Sequence, residues 1–147
     1  MARREHRMKF LLVAFALILA TPVLAQTVAG PSTAMTPTPD DRAKQWLTLI
    51  DDQNYADAFK QMGATARDKV SEQDFAAKIG ATRTPMGAMS SRTLKDVNVT
   101  KTLPGMRDGQ YTIVRYDSAF AHKAAAVESV TLESEKGAWS VVGYHIN

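Results

Sequence analysis

The chain has no cysteine. That excludes a disulfide framework, a thiol nucleophile and a thiolate metal site, although it does not fix the compartment. Histidine is almost as scarce: beyond residue 25 there are only His122 and His145. Without HExxH, a close His pair or a carboxylate cluster, the spacing supports no metal site and implies no cofactor. There is no glycine-rich phosphate loop, and Ser90-Ser91 lacks the strand–turn–helix setting of a nucleophile elbow. Charge of one sign is also missing once the chain is divided. The formal net charge is +3, and residues 1–25 carry all of it, with Arg3, Arg4, Arg7 and Lys9 against Glu5. The remaining 122 residues hold 14 basic and 14 acidic side chains. A neutral body makes no general electrostatic case for binding nucleic acid or anionic lipid.

What is present begins with a leader. Residues 2–9 are basic, Phe10–Ala20 is an unbroken apolar run, and Thr21-Pro22 breaks it before Val23-Leu24-Ala25 and Gln26. These are the parts of a secretory signal peptide, with cleavage expected between Ala25 and Gln26. The run of 11 residues falls short of the roughly 20 that span a bilayer, so no stable membrane anchor is expected after cleavage, and the product would be periplasmic or secreted. Residues 26–39, rich in Thr, Ala and Pro, read as a flexible linker. Residues 40–147 are long enough for one domain.

The first half of that domain has helical periodicity. Asp40 or Asp41 is placed to cap a helix whose Ala43, Trp46, Leu47 and Ile50 form one apolar face. Gln53-Asn54 breaks it. Tyr55, Phe59 and Met62 form a second stripe closed by Gly63, Ala64–Val70 offers a further turn, and Ser71 with Asp74 resembles a capping box opening a third helix around Phe75 and Ile79. Trp46, Tyr55, Phe59 and Phe75 are core candidates. From Thr93 the period changes to two. Leu94, Val97 and Val99 predict a strand with a bulge near Lys95-Asp96. Leu103–Gly109 carries Pro-Gly and Asp-Gly turn pairs. Tyr111–Phe120, Ala124–Glu133 and Trp139–Ile146 predict three more strands. The fold class expected is α+β, with three N-terminal helices packed on a curved four-stranded antiparallel sheet. Between the halves lies Arg83–Arg92, in which Pro85 is expected to push Thr84 out of the helical region and Gly87 to allow a turn that a side chain would block.

The runs AKQWLTLIDDQNYADAF, VSEQDF, RTPMGAMSSR, TLPGMRDGQYTIVRYDSAF and ESVTLESEKGAWSVVGYHI, in that order over residues 42–146, resemble the bacterial exported domain-of-unknown-function family 4019. Met86 stands where the family pattern has Leu, and His145 where it has an aromatic residue. The resemblance implies an exported domain without an established activity. By analogy it implies a cone of the cystatin-like or nuclear transport factor 2-like (NTF2-like) kind, an architecture that hosts enzymes, binders and scaffolds alike.

Two functional readings follow. One is a non-catalytic module that binds an unknown small molecule or protein. The other is a small cone enzyme, an isomerase or hydrolase, in which Glu128, in register with Val130 and Leu132, points at the apolar layer with a raised pKa and acts as a base. Tyr111, Tyr116 or His145 would then supply a donor. Against the enzyme stands the commoner arrangement, Glu128 paired with Arg83, Arg92 or Arg115. Arg83, Arg92 and Tyr111 are also candidate contacts for a ligand or partner. The structural alternatives are Arg83 bonding the last carbonyls of its helix and Arg92 pairing across the first hairpin. A homodimer through a sheet face carrying Ile113 and Val141 is compatible with either reading.

Overall fold

The computed structural model describes residues 36–147. The expected signal peptide, its cleavage between Ala25 and Gln26, and most of the expected linker lie outside the described residues. Helices α1 (Pro39–Asp51), α2 (Tyr55–Lys60), α3 (Ala64–Arg67) and α4 (Glu72–Arg83) precede a 3₁₀ turn (Thr84–Met86). Strands β1 (Met89–Thr100), β2 (Tyr111–Phe120), β3 (Lys123–Glu135) and β4 (Ala138–Ile146) then form one antiparallel sheet in sequence order. This is the α+β order expected, with α3 as the extra turn between the second and third expected helices. No helix among the described residues is long and apolar enough to cross a membrane.

Local chemistry accounts for most boundaries. Helix α1 begins earlier than expected, and its cap is neither Asp40 nor Asp41 but Thr38. The Thr38 hydroxyl accepts from the Asp41 N–H at 3.1 Å, and the Asp41 carboxylate accepts from the Thr38 N–H at 3.2 Å, a reciprocal capping box. Pro39 fits the first turn, where its missing donor is not needed. Gln53 adopts φ 59° at the expected break, and Asn54 caps α2. Gly63 does not close α2. It sits at the start of α3, and its N–H donates to the Val141 carbonyl at 2.8 Å. Ser71 caps α4, accepting from the Asp74 N–H at 3.1 Å.

The pivot also differs from expectation. Thr84 keeps helical angles (φ −56°, ψ −44°), because Pro85 occupies the 3₁₀ turn without needing a donor. The reversal happens at Gly87, φ 75°, where a Cβ would meet Ala121 Cβ and His122 Nδ1 at 3.1 Å. Strand β1 then starts at Met89, four residues before the sequence signal, so Arg92 lies within it.

The core is where the apolar stripe of α1 meets the inner face of the sheet. Ala43, Trp46, Leu47 and Ile50 pack with Val114, Tyr116, Val130, Leu132 and Val141. Phe75 and Ile79 of α4 close the cluster, with Tyr55 and Phe59 partly buried against it. The Trp46 indole N–H donates to the Ala58 carbonyl at 2.9 Å, which ties α1 to α2. Val141 belongs to this core and is fully buried. It therefore cannot share an exposed dimer face with Ile113; the bulge between Thr131 and Leu132 turns it inward.

Candidate functional site

Alternation along the strands decides which polar side chains enter the core. On β2, Val114, Tyr116, Ser118 and Phe120 face inward. Register sets Arg92 opposite Ser118, Tyr116 opposite Glu128 and Val130 opposite Tyr144. Asp51 ends α1 one turn beyond Leu47, on the apolar stripe. Arg83 ends α4. Six elements thus deliver one polar group each to a single point: Asp51 (α1), Arg83 (α4), Arg92 (β1), Ser118 (β2), Glu128 (β3) and Tyr144 (β4).

Glu128 is at the centre and is fully buried. Its Oε1 accepts from Arg83 Nη1 and from the Tyr144 hydroxyl, each at 2.8 Å. Its Oε2 accepts from Arg92 Nε at 2.7 Å and from the Ser118 hydroxyl at 2.6 Å. Asp51 takes the Arg92 fork in two bonds, 2.7 and 3.0 Å, and also pairs with Arg83. Two cations and two anions leave the cluster formally neutral. The Arg83 guanidinium also lies over the Phe120 ring, 4.3 Å from its centroid.

The electrostatics follow from these contacts. Burial pushes the Glu128 carboxyl up, but the hydrogen bonds from Arg92 and Ser118 and the charge of Arg92 outweigh it, so its pKa falls below the ordinary value. This corrects the expectation of a raised pKa. Burial lowers the Arg92 pKa, while its bonds to Asp51 and Glu128 carry it above the ordinary value, so it stays charged. Burial and the negative charge of Glu128 push the Tyr144 phenol up, so it remains a donor.

The other candidates lie elsewhere. Arg83 does not bond the carbonyls ending its helix, and Arg92 does not pair across the first hairpin; both turn into the core toward Asp51 and Glu128. Tyr111 is buried at the far end of β2, where its hydroxyl donates to the Arg107 carbonyl at 2.8 Å and reaches Glu133 at 3.3 Å. Tyr116 donates to Asp40 at 2.7 Å. His122 occupies the β2–β3 turn, and His145 is exposed on β4. Sequence reasoning missed Asp51, Ser118 and Tyr144. A signal existed for the first two, since each is a polar residue continuing an apolar stripe.

A cleft of about 210 Å³ borders Asp51 and Arg83, with Tyr55 and Gly87 in its wall. It is smaller than the few hundred Å³ of a usual ligand pocket. Glu128 lines neither this cleft nor the open groove of about 480 Å³ beside Ser118 and Asn147.

In fold the chain is similar to a crystal structure described as an NTF2-like transpeptidase from Campylobacter jejuni, at a TM-score of 0.51 and 14% identity over 71% of this chain and 97% of that one. At that identity the likeness speaks for the fold alone, and the open sheet beneath N-terminal helices is NTF2-like. No curated protein matches the chain. The match of residues 42–144 to the profile described as "Protein of unknown function (DUF4019)" covers most of the sequence, and the chain belongs to that family.

Proposed function

We propose that this is an exported, non-catalytic binding module whose cone is closed from within by a buried charge cluster. The observation that carries the reading is the saturation of Glu128. Both of its oxygens accept two hydrogen bonds each, two of the four from guanidinium groups. A general base needs an oxygen within reach of a substrate proton and a pKa near the working pH. Glu128 has its acceptor positions filled and a lowered pKa. Arg83 and Arg92, engaged by Asp51 and Glu128, are likewise not free to clamp an anionic ligand. Recognition then falls to the outer surface of the domain. Export is supported by the basic start, the short apolar core and Ala25 before Gln26.

The test has two arms. Carboxyl NMR should find Glu128 titrating below about 4.3, the ordinary glutamate value; a midpoint at 6 or above would restore the catalytic base. Intact mass of the protein recovered from the periplasm or medium should lack residues 1–25. A mass that still includes them would remove the export claim.

A further inference from the structure

The two edges of the sheet are treated differently. At the β4 edge, Met62 bridges to Val141 and the Gly63 N–H bonds the Val141 carbonyl. At the β1 edge, β1 pairs with β2 alone. Every large hydrophobic side chain exposed among the described residues lies on β1: Met89, Leu94, Val97 and Val99, the last at 69% exposure. Their partners across the register, Tyr116 for Leu94, Val114 for Val97 and Thr112 for Val99, are buried. The helical cover therefore stops at β2, and an apolar strip beside an open strand edge is left over. Such an edge is a template for another strand.

We propose that β1 pairs antiparallel with β1 of a second copy of this chain, continuing the sheet across a two-fold axis between Lys95 and Asp96. The β1 edge is self-complementary. The register shift between Leu94 and Asp96 inserts Lys95 as an extra residue. It places Arg92, Leu94, Val97 and Val99 on the inner face, opposite Ser118, Tyr116, Val114 and Thr112. In an antiparallel pair, residues directly opposite share a face. One register pairs all four inner residues with one another: Leu94 opposite the partner's Val97, and Arg92 opposite the partner's Val99. A slip of one residue either way sets apolar side chains against outward polar ones. In that same register Lys95 stands opposite the partner's Asp96.

Within the chain, Lys95 already pairs with Asp117 at 2.7 Å, and Arg115 with Asp96 at 2.8 Å. Across the axis these extend into a row of alternating sign: Asp117, Lys95, the partner's Asp96, the partner's Arg115. A bulge and an edge lysine ordinarily blunt a strand edge against pairing. Here the bulge recurs in the partner strand, and the lysine meets the partner's Asp96. The inference does not depend on the role of Glu128.

The chain's lack of cysteine allows a direct test. Residues opposite each other across such a pair have Cα atoms about 4.5–5.5 Å apart, within disulfide reach. Leu94 and the partner's Leu94 would be about 10 Å apart along the strands, beyond it. Sedimentation at about 100 μM should give a dimer mass. Val97→Lys, an exposed change, should raise the dissociation constant at least tenfold while leaving the melting temperature within a few degrees. Mild oxidation of mixed Leu94→Cys and Val97→Cys chains should yield a cross-linked dimer that neither variant gives alone. A monomer at 100 μM, a dimer indifferent to Val97→Lys, or single variants that cross-link as readily as the mixture would each overturn the proposal.

Discussion

Replacing Arg83 by Ala is expected to destabilise the domain by about 3–5 kcal/mol, the range for breaking a buried ion pair by removing one partner. Arg83 is 6% exposed and holds Glu128, which is fully buried, together with Asp51. Without it, Glu128 keeps Arg92, Ser118 and Tyr144, but the cluster carries a net negative charge in a medium that screens it poorly. The Phe120 ring also loses the cation over its face. Since whole-domain stability is commonly about 5–15 kcal/mol, the variant would be marginal. Its melting temperature should fall on the order of 10–20 °C. The double variant Arg83→Met, Glu128→Gln should recover part of that loss, because it removes one charge of each sign. Chemical denaturation of Arg83→Met, Glu128→Gln and the double variant gives the coupling. Purely additive losses would mean that the two groups act independently.

The second large effect is expected at Trp46. It is fully buried on α1, bonds the Ala58 carbonyl, and packs against Phe75 and Tyr144 with ring centroids 6.3 and 5.5 Å away. Trp46→Ala should cost about 3–5 kcal/mol, the range for emptying a large aromatic site. Part of that loss should arise in the charge cluster. The Tyr144 ring rests against Trp46 and donates its hydroxyl to Glu128, so a Trp46 cavity frees Tyr144 to move. Trp46→Phe should cost less, keeping much of the volume but leaving the Ala58 carbonyl without its indole donor. If Trp46→Phe proved as damaging as Trp46→Ala, the indole hydrogen bond rather than packing would be the larger contribution.

The sheet was the most legible part of this protein in its sequence. Strand β2 runs from Tyr111 to Phe120 as its alternation indicates, because one face is buried and the other carries Arg115 and Asp117. The bulge at Lys95 was visible as a break in that alternation. Local chemistry was misread where two signals competed. Asp40 and Asp41 looked like caps, yet Thr38-Pro39 supplies the stronger combination of a capping hydroxyl and a first-turn proline. Pro85 looked like a terminator, but a 3₁₀ turn accommodates it, and Gly87 makes the reversal. The charge cluster was half legible. Periodicity placed Glu128 on the inner face, and Arg83, Arg92 and Arg115 were named as alternative partners; the first two hold it, whereas Arg115 points outward and pairs with Asp96. Asp51 closes the set across 32 residues to Arg83 and 41 to Arg92, and periodicity assigns a face rather than a partner at such separations. Tyr144 was obscured in the same way: its hydroxyl lies at the end of a ring that itself belongs to the apolar layer.

The central claim is that Glu128 holds the domain together from inside. Thermal unfolding of Glu128→Gln against the unaltered protein, followed from pH 7 to pH 3, tests it most directly. Glu128 has a folded pKa below its unfolded one, so its contribution is complete above the unfolded value, about 4.3, and fades as pH falls through the folded value. The account predicts that Glu128→Gln melts well below the unaltered protein at pH 7, by an amount comparable to Arg83→Ala, and that the gap narrows as the pH drops. A Glu128→Gln protein that melts at or above the unaltered temperature at pH 7 would contradict it. That is the behaviour expected when a carboxylate is kept for chemistry at the expense of stability.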